Sequence, residues 1–211
     1  MPGRDCPRCP RLVAFRQANR AAYADWHNAP VPSFDAARGD ARLLIVGLAP
    51  GLRGANRTGR PFTGDFAGDL LYDTLLKFGL ADGAYGARAG DGLSLSGCRI
   101  TNAVRCVPPE NKPIGSEVKA CRPFLGDEIV TLGHLRVILA LGVVAHKAVV
   151  ATLGARMSHW PFRHGALHRF DGQGPVLADS YHCSRYNTNT GRLTEKMFHD
   201  VFTGIMKELG K

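Results

Sequence analysis

Four short stretches that read as strands, two of them unbroken aliphatic runs, constrain the architecture before any motif is read. They occupy residues 42–48, 99–104, 136–141 and 175–180, with centres such as Leu43-Leu44-Ile45-Val46 and Val137-Ile138-Leu139-Ala140. Short aliphatic runs without polar alternation are strands buried on both faces. Residues 69–78 place Leu70, Leu71, Leu75 and Leu76 at helical spacing. Residues 11–27, 116–132, 143–153 and 193–209 also read as helices, with Ser116 the expected N-cap of its helix. A short strand is expected within 165–170, and residues 81–97 and 181–192 read as polar loops. Strands alternating with helices predict an α/β fold: a three-layer α/β/α sandwich with a central, mainly parallel four-stranded sheet. Its 211 residues suffice for one sizeable core, so a single domain is expected over 1–211, with 1–30 an N-terminal helical segment.

No apolar run approaches the roughly 18 residues of a membrane span. No apolar segment of signal-peptide type opens the chain, so a cytoplasmic protein is expected. The net charge of +9, from 27 basic and 18 acidic side chains, favours a polyanionic partner such as nucleic acid. Six cysteines in a reducing compartment are expected as metal ligands or buried thiols rather than disulfides.

Polar residues then concentrate where strands end. Residues 47–65 follow the first strand and hold five glycines, two prolines and three arginines. Glycine on that scale lets backbone approach a ligand closely, and α/β sheets bind ligands at the carboxyl ends of their strands. Two further loops, 101–109 and 181–188, leave the same edge of a parallel sheet. Their convergence marks the candidate site. Within it, Asp65 suits a catalytic carboxylate and equally a helix cap. Asn102 offers an amide and His182 an imidazole to the same edge. Arg53, Arg57, Arg60 and Arg105 fall in these loops and are expected at phosphates.

The segments Gly47-Leu48-Ala49-Pro50-Gly51, Asn56-Arg57-Thr58-Gly59-Arg60-Pro61-Phe62-Thr63-Gly64-Asp65, Ile100-Thr101-Asn102-Ala103-Val104-Arg105-Cys106 and His182-Cys183-Ser184-Arg185 together resemble the uracil-DNA glycosylase superfamily. Within it they resemble the iron–sulfur-containing family 5, or type B. The resemblance runs from residue 6 to about residue 194 and implies a uracil-DNA glycosylase-like fold. It implies a monomeric, monofunctional DNA glycosylase acting on double-stranded DNA with deaminated bases: uracil, and also hypoxanthine or xanthine. The enzyme would flip the base, hydrolyse the N-glycosidic bond and leave an abasic site. Gly47, Leu48, Ala49, Pro50, Gly51, Phe62 and Asn102 would surround the base, with Phe62 stacked on it. Asp65, Asn102 and His182 would be catalytic. Arg57, Arg60, Ser184, Arg185, Tyr186 and Asn187 would contact DNA, the last four on a loop that fills the gap left by the base, with Arg185 or Tyr186 as the wedge. Cys6, Cys9, Cys106 and Cys121 would hold a structural [4Fe-4S] cluster that tethers residues 1–30, with zinc as the alternative.

Three positions depart from the wider family. Leu48 and Ala49 stand where the best-known members carry a polar side chain, which moves the chemistry to Asp65 and Asn102. Cys183 replaces the usual proline after the histidine. Two other readings compete. A non-catalytic iron–sulfur nucleic-acid-binding protein accounts for the charge and cysteines. A nucleotide-binding enzyme would use the glycine-rich loop as a phosphate cradle, but the loop lacks the Gly-Lys-Ser/Thr ending of a P-loop.

Overall fold

Each apolar run becomes a strand because its alternate side chains have a separate core to enter on either face of one sheet. In the computed structural model, which describes residues 1–36, 39–170 and 174–210, the elements in chain order are α1 (Pro10–Ala22), β1 (Phe34–Asp35), β2 (Leu43–Gly47), α2 (Ala55–Thr58), α3 (Phe66–Lys77), β3 (Ala81–Asp82), β4 (Ser94–Leu95), β5 (Cys98–Asn102), α4 (Gly115–Thr131), β6 (Val137–Leu141), α5 (Val143–Thr152), β7 (Leu167–His168), β8 (Val176–Ser180), α6 (Arg185–Asn189) and α7 (Glu195–Leu209). The main sheet runs β1-β5-β2-β6-β8-β7. Its four central strands are parallel, as expected, and the short strands β1 and β7 pair antiparallel at its edges. Leu43 and Ile45 of β2 and Leu139 of β6 enter one core with Leu71, Phe198 and Phe202 from α3 and α7. Leu44, Val46 and Ile138 point the other way, to Leu125, Ala148 and Val149 of α4 and α5. This is the α/β/α sandwich.

Local chemistry adjusts several boundaries. Helix α4 starts one residue earlier than expected, so Ser116 lies inside it and Ile114 is the N-cap. The Glu117 carboxylate accepts from the Ile114 N–H (2.9 Å) and closes the first turn. Helix α1 stops at Ala22 instead of running to 27 because the Asn28 side chain donates to the Asn19 and Tyr23 carbonyls (3.2 and 2.6 Å). Residues 81–97 are a small hairpin of β3 and β4 rather than a bare loop, and 181–192 contain α6. No described helix is long and apolar enough to cross a membrane.

Strand β2 connects onward to β5 on one side of the sheet, whereas β6 connects to β8 on the other. The point between β2 and β6, where the chain direction across the sheet reverses, is where such sheets leave a crevice.

Candidate active site

A cleft of about 880 Å³ opens at that point. Leu48, Ala49 and Gly51 after β2 form one wall, Gly142, Val143 and Val144 after β6 the opposite wall, and His182, Ser184 and Arg185 after β8 the third. Asp65 and Phe66 close it from the start of α3.

Asp65 is the N-cap of α3, its Oδ1 accepting from the Gly68 N–H at 3.2 Å. Its Oδ2 lies beside Gly51 and Gly54: a Cβ built at each would be 3.0 and 2.7 Å from it. The two glycines are therefore what admits this carboxylate to the cleft wall. Burial raises the Asp65 pKa above the usual carboxylate range, against the lowering effect of the Gly68 and Ala67 N–H groups. His182 has a buried Nδ1 with no hydrogen-bond partner among the described residues. Burial lowers its pKa to about 4, so the ring is neutral at physiological pH.

Phe62 and Asn102 sit one layer deeper than the cleft lining, where ring and amide converge on Gly47. In the parallel register Gly47 lies beside Asn102. A Cβ at Gly47 would be 2.4 Å from Asn102 Oδ1 and 2.5 Å from the tip of the Phe62 ring. The Phe62 and His182 rings lie 5.9 Å apart at 27°. Asn102 is buried as a residue, but its side-chain amide, which makes no hydrogen bond among the described residues, is not among their fully enclosed unpaired atoms. Phe62 has a φ of 54°, a conformation that a bulky residue rarely adopts.

The expected phosphate contacts divide. Arg53 and Arg57 are at least partly exposed beside the cleft. Arg60 is not: it is buried in a bidentate pair with Asp91 (2.8 and 2.6 Å), with Nε donating to Thr63 (2.8 Å). Arg105 is likewise fully buried, bound to Glu128 and donating to Ser33 (2.8 Å). Both arginines hold loops rather than face solvent, because an acidic partner distant in sequence waits for each. In the last loop Ser184 caps α6 and Asn187 donates to the His182 carbonyl (2.8 Å). Arg185 lies over the Phe66 ring, and Tyr186 projects with 73% of its surface exposed.

Three features of the site had weaker signals. Gly142 follows buried strand β6 as Leu48 follows β2, so the strand-end rule also points to the β6 wall. Arg192, over the Tyr181 ring at 4.6 Å, and Phe162 also line the cleft, and neither lies in a recognisable motif.

Away from the cleft, Cys6, Cys9, Cys106 and Cys121 line one small cavity with Arg16 and Phe124. It joins the segment before α1 to the loop after β5 and to α4. Arg16 donates towards Cys106 Sγ (3.7 Å) and to the Cys6 carbonyl (3.1 Å). Among the described residues no three of these sulfurs lie within 4.8 Å of one another; the one such group of possible ligands is His146, His168 and Asp179. Burial pushes the Cys106 thiol up to about 11. Cys98 and Cys183 are both fully buried, and the Cys183 thiol donates to the Ala67 carbonyl (3.3 Å).

That second group braces β8. His146 Nδ1 is 2.8 Å from Asp179 Oδ1 and its Nε2 is 2.8 Å from the Trp160 carbonyl. His168 Nε2 is 2.8 Å from Asp179 Oδ2. Both neighbours of His146 are acceptors, so its ring carries two protons.

The fold and cleft define an α/β protein with a carboxylate, a neutral histidine and an unpaired amide gathered at a topological switch point. The profile of the uracil DNA glycosylase superfamily matches residues 34–205. The chain is 48% identical over 203 residues to the type-5 uracil-DNA glycosylase of Thermus thermophilus, covering 93% of this chain and 90% of that protein. It is 42% identical to the type-5 enzyme of Mycobacterium tuberculosis (97% and 78% covered) and 38% identical to that of Pyrobaculum aerophilum (98% and 90% covered). The chain belongs to the uracil-DNA glycosylase superfamily, in its type-5 family.

Proposed function

We propose that this protein is a monofunctional DNA glycosylase that removes uracil from double-stranded DNA. The extruded base would stack on Phe62 and present its edge to the unpaired Asn102 amide. As the C1′–N1 bond breaks, its electron pair leaves on the base and positive charge builds at C1′. Asp65 stabilises that charge and accepts the proton of the water that adds to C1′; its raised pKa suits a general base. The neutral His182 imidazole donates to the departing base. The products are free uracil and an abasic site. Arg57 is placed for phosphate contact, and Arg185 and Tyr186 for the gap in the duplex. The observation that carries this reading is the placement, on separate walls of one cleft, of Asp65 and of His182, whose buried Nδ1 has no hydrogen-bond partner among the described residues.

The apolar Leu48 and Ala49 at the cleft mouth support a pocket that discriminates weakly, so hypoxanthine and xanthine are further substrates. Duplexes containing each base should be cleaved at that base after alkali, and wild-type rates in Asp65→Ala, Asn102→Ala and His182→Ala would sink the assignment.

The four clustered thiols fit a metal group by chemistry and by enclosure. Their enclosure in one cavity supports a [4Fe-4S] cluster held by Cys6, Cys9, Cys106 and Cys121, with zinc as the alternative. The cluster would supply a structural cross-link and take no part in the chemistry. Iron and sulfide in the purified protein test it; stoichiometric zinc without iron would overturn it.

A further inference from the structure

We propose that Tyr85, on the hairpin between β3 and β4, is a positioning residue that sets the base-stacking ring and the catalytic carboxylate relative to each other. The inference rests on the glycosylase reading above.

Phe62 and Asp65 are three residues apart and are joined by a tight reversal. Phe62 has φ 54° and Gly64 φ 82°. A left-handed Phe is strained and persists only where its surroundings hold it. The Tyr85 hydroxyl bridges both ends of the reversal: it donates to the Phe62 carbonyl (3.2 Å) and accepts from the Gly64 N–H (3.4 Å). It also lies against Gly68, the residue whose N–H binds Asp65: a Cβ there would be 2.5 Å from the Tyr85 oxygen and 1.9 Å from the Phe62 carbonyl oxygen. One hydroxyl thus touches the backbone of Phe62, the residue before Asp65, and the glycine that Asp65 caps.

The hairpin is anchored from below. Tyr85 stacks on Tyr72 at 4.5 Å and 25°. The Arg60 guanidinium lies over the Tyr72, Tyr85 and Phe34 rings and is paired with Asp91. Asp91 in turn accepts from Gly86 (2.8 Å) and Leu93 (3.1 Å) on the same hairpin. Arg60, turned away from solvent, therefore fastens the hairpin beneath the reversal. Burial pushes the Tyr85 pKa up to about 12, so the hydroxyl keeps its proton for the Phe62 carbonyl.

The test compares Tyr85→Phe with Tyr72→Phe. The first removes the bridging hydroxyl and keeps the stacked ring. The second removes a buried hydroxyl that donates to the Pro61 carbonyl (2.6 Å), just outside the reversal. On a uracil duplex, Tyr85→Phe should lower kcat about tenfold with KM within twofold, while Tyr72→Phe lowers Tm and keeps kcat within about threefold. Wild-type kcat in Tyr85→Phe, or equal losses of kcat in both variants, overturns the proposal. Should Tyr85→Phe not fold, Asp91→Asn, which loosens the hairpin and keeps the hydroxyl, replaces it with an expected threefold loss; no loss overturns the proposal. Absence of uracil release by the unsubstituted protein overturns the glycosylase reading and this inference together. Release by the unsubstituted protein, lost in Asp65→Asn and intact in Tyr85→Phe, overturns this inference alone.

Discussion

Replacing Gly47 by alanine adds one methyl group at the point where Phe62 and Asn102 meet. The new Cβ would lie 2.4 Å from Asn102 Oδ1 and 2.5 and 2.7 Å from two Phe62 ring carbons. Ordinary carbon contacts fall at about 3.5–4.0 Å, so the amide and the ring must each retreat by roughly 1 Å. Gly47 is not among the glycines with positive φ, so the backbone itself accepts alanine. Loss of flexibility in the unfolded chain returns about 0.4–1 kcal/mol, and overpacking costs about 1–3 kcal/mol. The net destabilisation is at most about 2.5 kcal/mol, a fall in Tm of up to about 10 °C at roughly 2–4 °C per kcal/mol. The rate should suffer more, because a misplacement of about 1 Å in a reacting site costs about 10²-fold. Single-turnover uracil release measured about 20 °C below the Tm of each protein, where native protein dominates both samples, separates the two effects. A folded Gly47→Ala protein that releases uracil within threefold of the wild-type rate would refute the claim that Phe62 and Asn102 must hold their present positions.

Arg57→Ala should reduce the slope of log affinity against log salt by about 1 and leave Tm unchanged, whereas Arg60→Ala should leave the slope and lower stability by about 3–5 kcal/mol, because it strands Asp91 unpaired; duplex binding at several salt concentrations and thermal melts separate them. Activity requires ionised Asp65, so the acid limb of kcat should lie above the ordinary carboxylate range. With His182 titrating at about 4, the kcat profile should show no inflection at the ordinary histidine value of about 6.5. The same histidine binds its proton more readily unfolded, so its contribution to stability falls as pH drops from about 6.5 to about 4; His182→Asn should flatten the dependence of Tm on pH in that window. Cys121→Ala should free the segment before α1, read as faster hydrogen exchange over residues 1–20, and should lower kcat far less than Asp65→Ala because the thiols lie outside the cleft.

Strands β2 and β6 were legible because each is buried on both faces and is an unbroken apolar run. The edge strand β1 was not: it has two residues, and a Phe-Asp pair carries no periodicity. Short α6 was hidden for the same reason, its start set by a Ser184 cap rather than by an apolar stripe. Asp65, Asn102 and His182 could be located because they fall in or beside the loops that follow strands, and strand ends are readable. What each arginine does was not readable. Arg57 and Arg60 are three residues apart in one motif, yet one is exposed and the other buried, and only Asp91, 31 residues on, decides between them. Sequence order reports which residues share a loop; charge pairing across the fold reports which way they turn.

The doubly protonated His146 has a consequence for how the chain folds. Burial disfavours its charge, but the Asp179 carboxylate outweighs that and raises its pKa. At a pH between the ordinary histidine value of about 6.5 and the raised folded-state value, folding draws a proton from the buffer and seals it between α5 and β8. The stability this pair contributes is complete below about pH 6.5 and is lost as pH rises through the folded-state value. Calorimetric unfolding in buffers of different ionisation enthalpy should register the released proton, and His146→Gln should abolish it. The strand that delivers His182 to the cleft is thus anchored by a reaction with the solvent, completed before any substrate arrives.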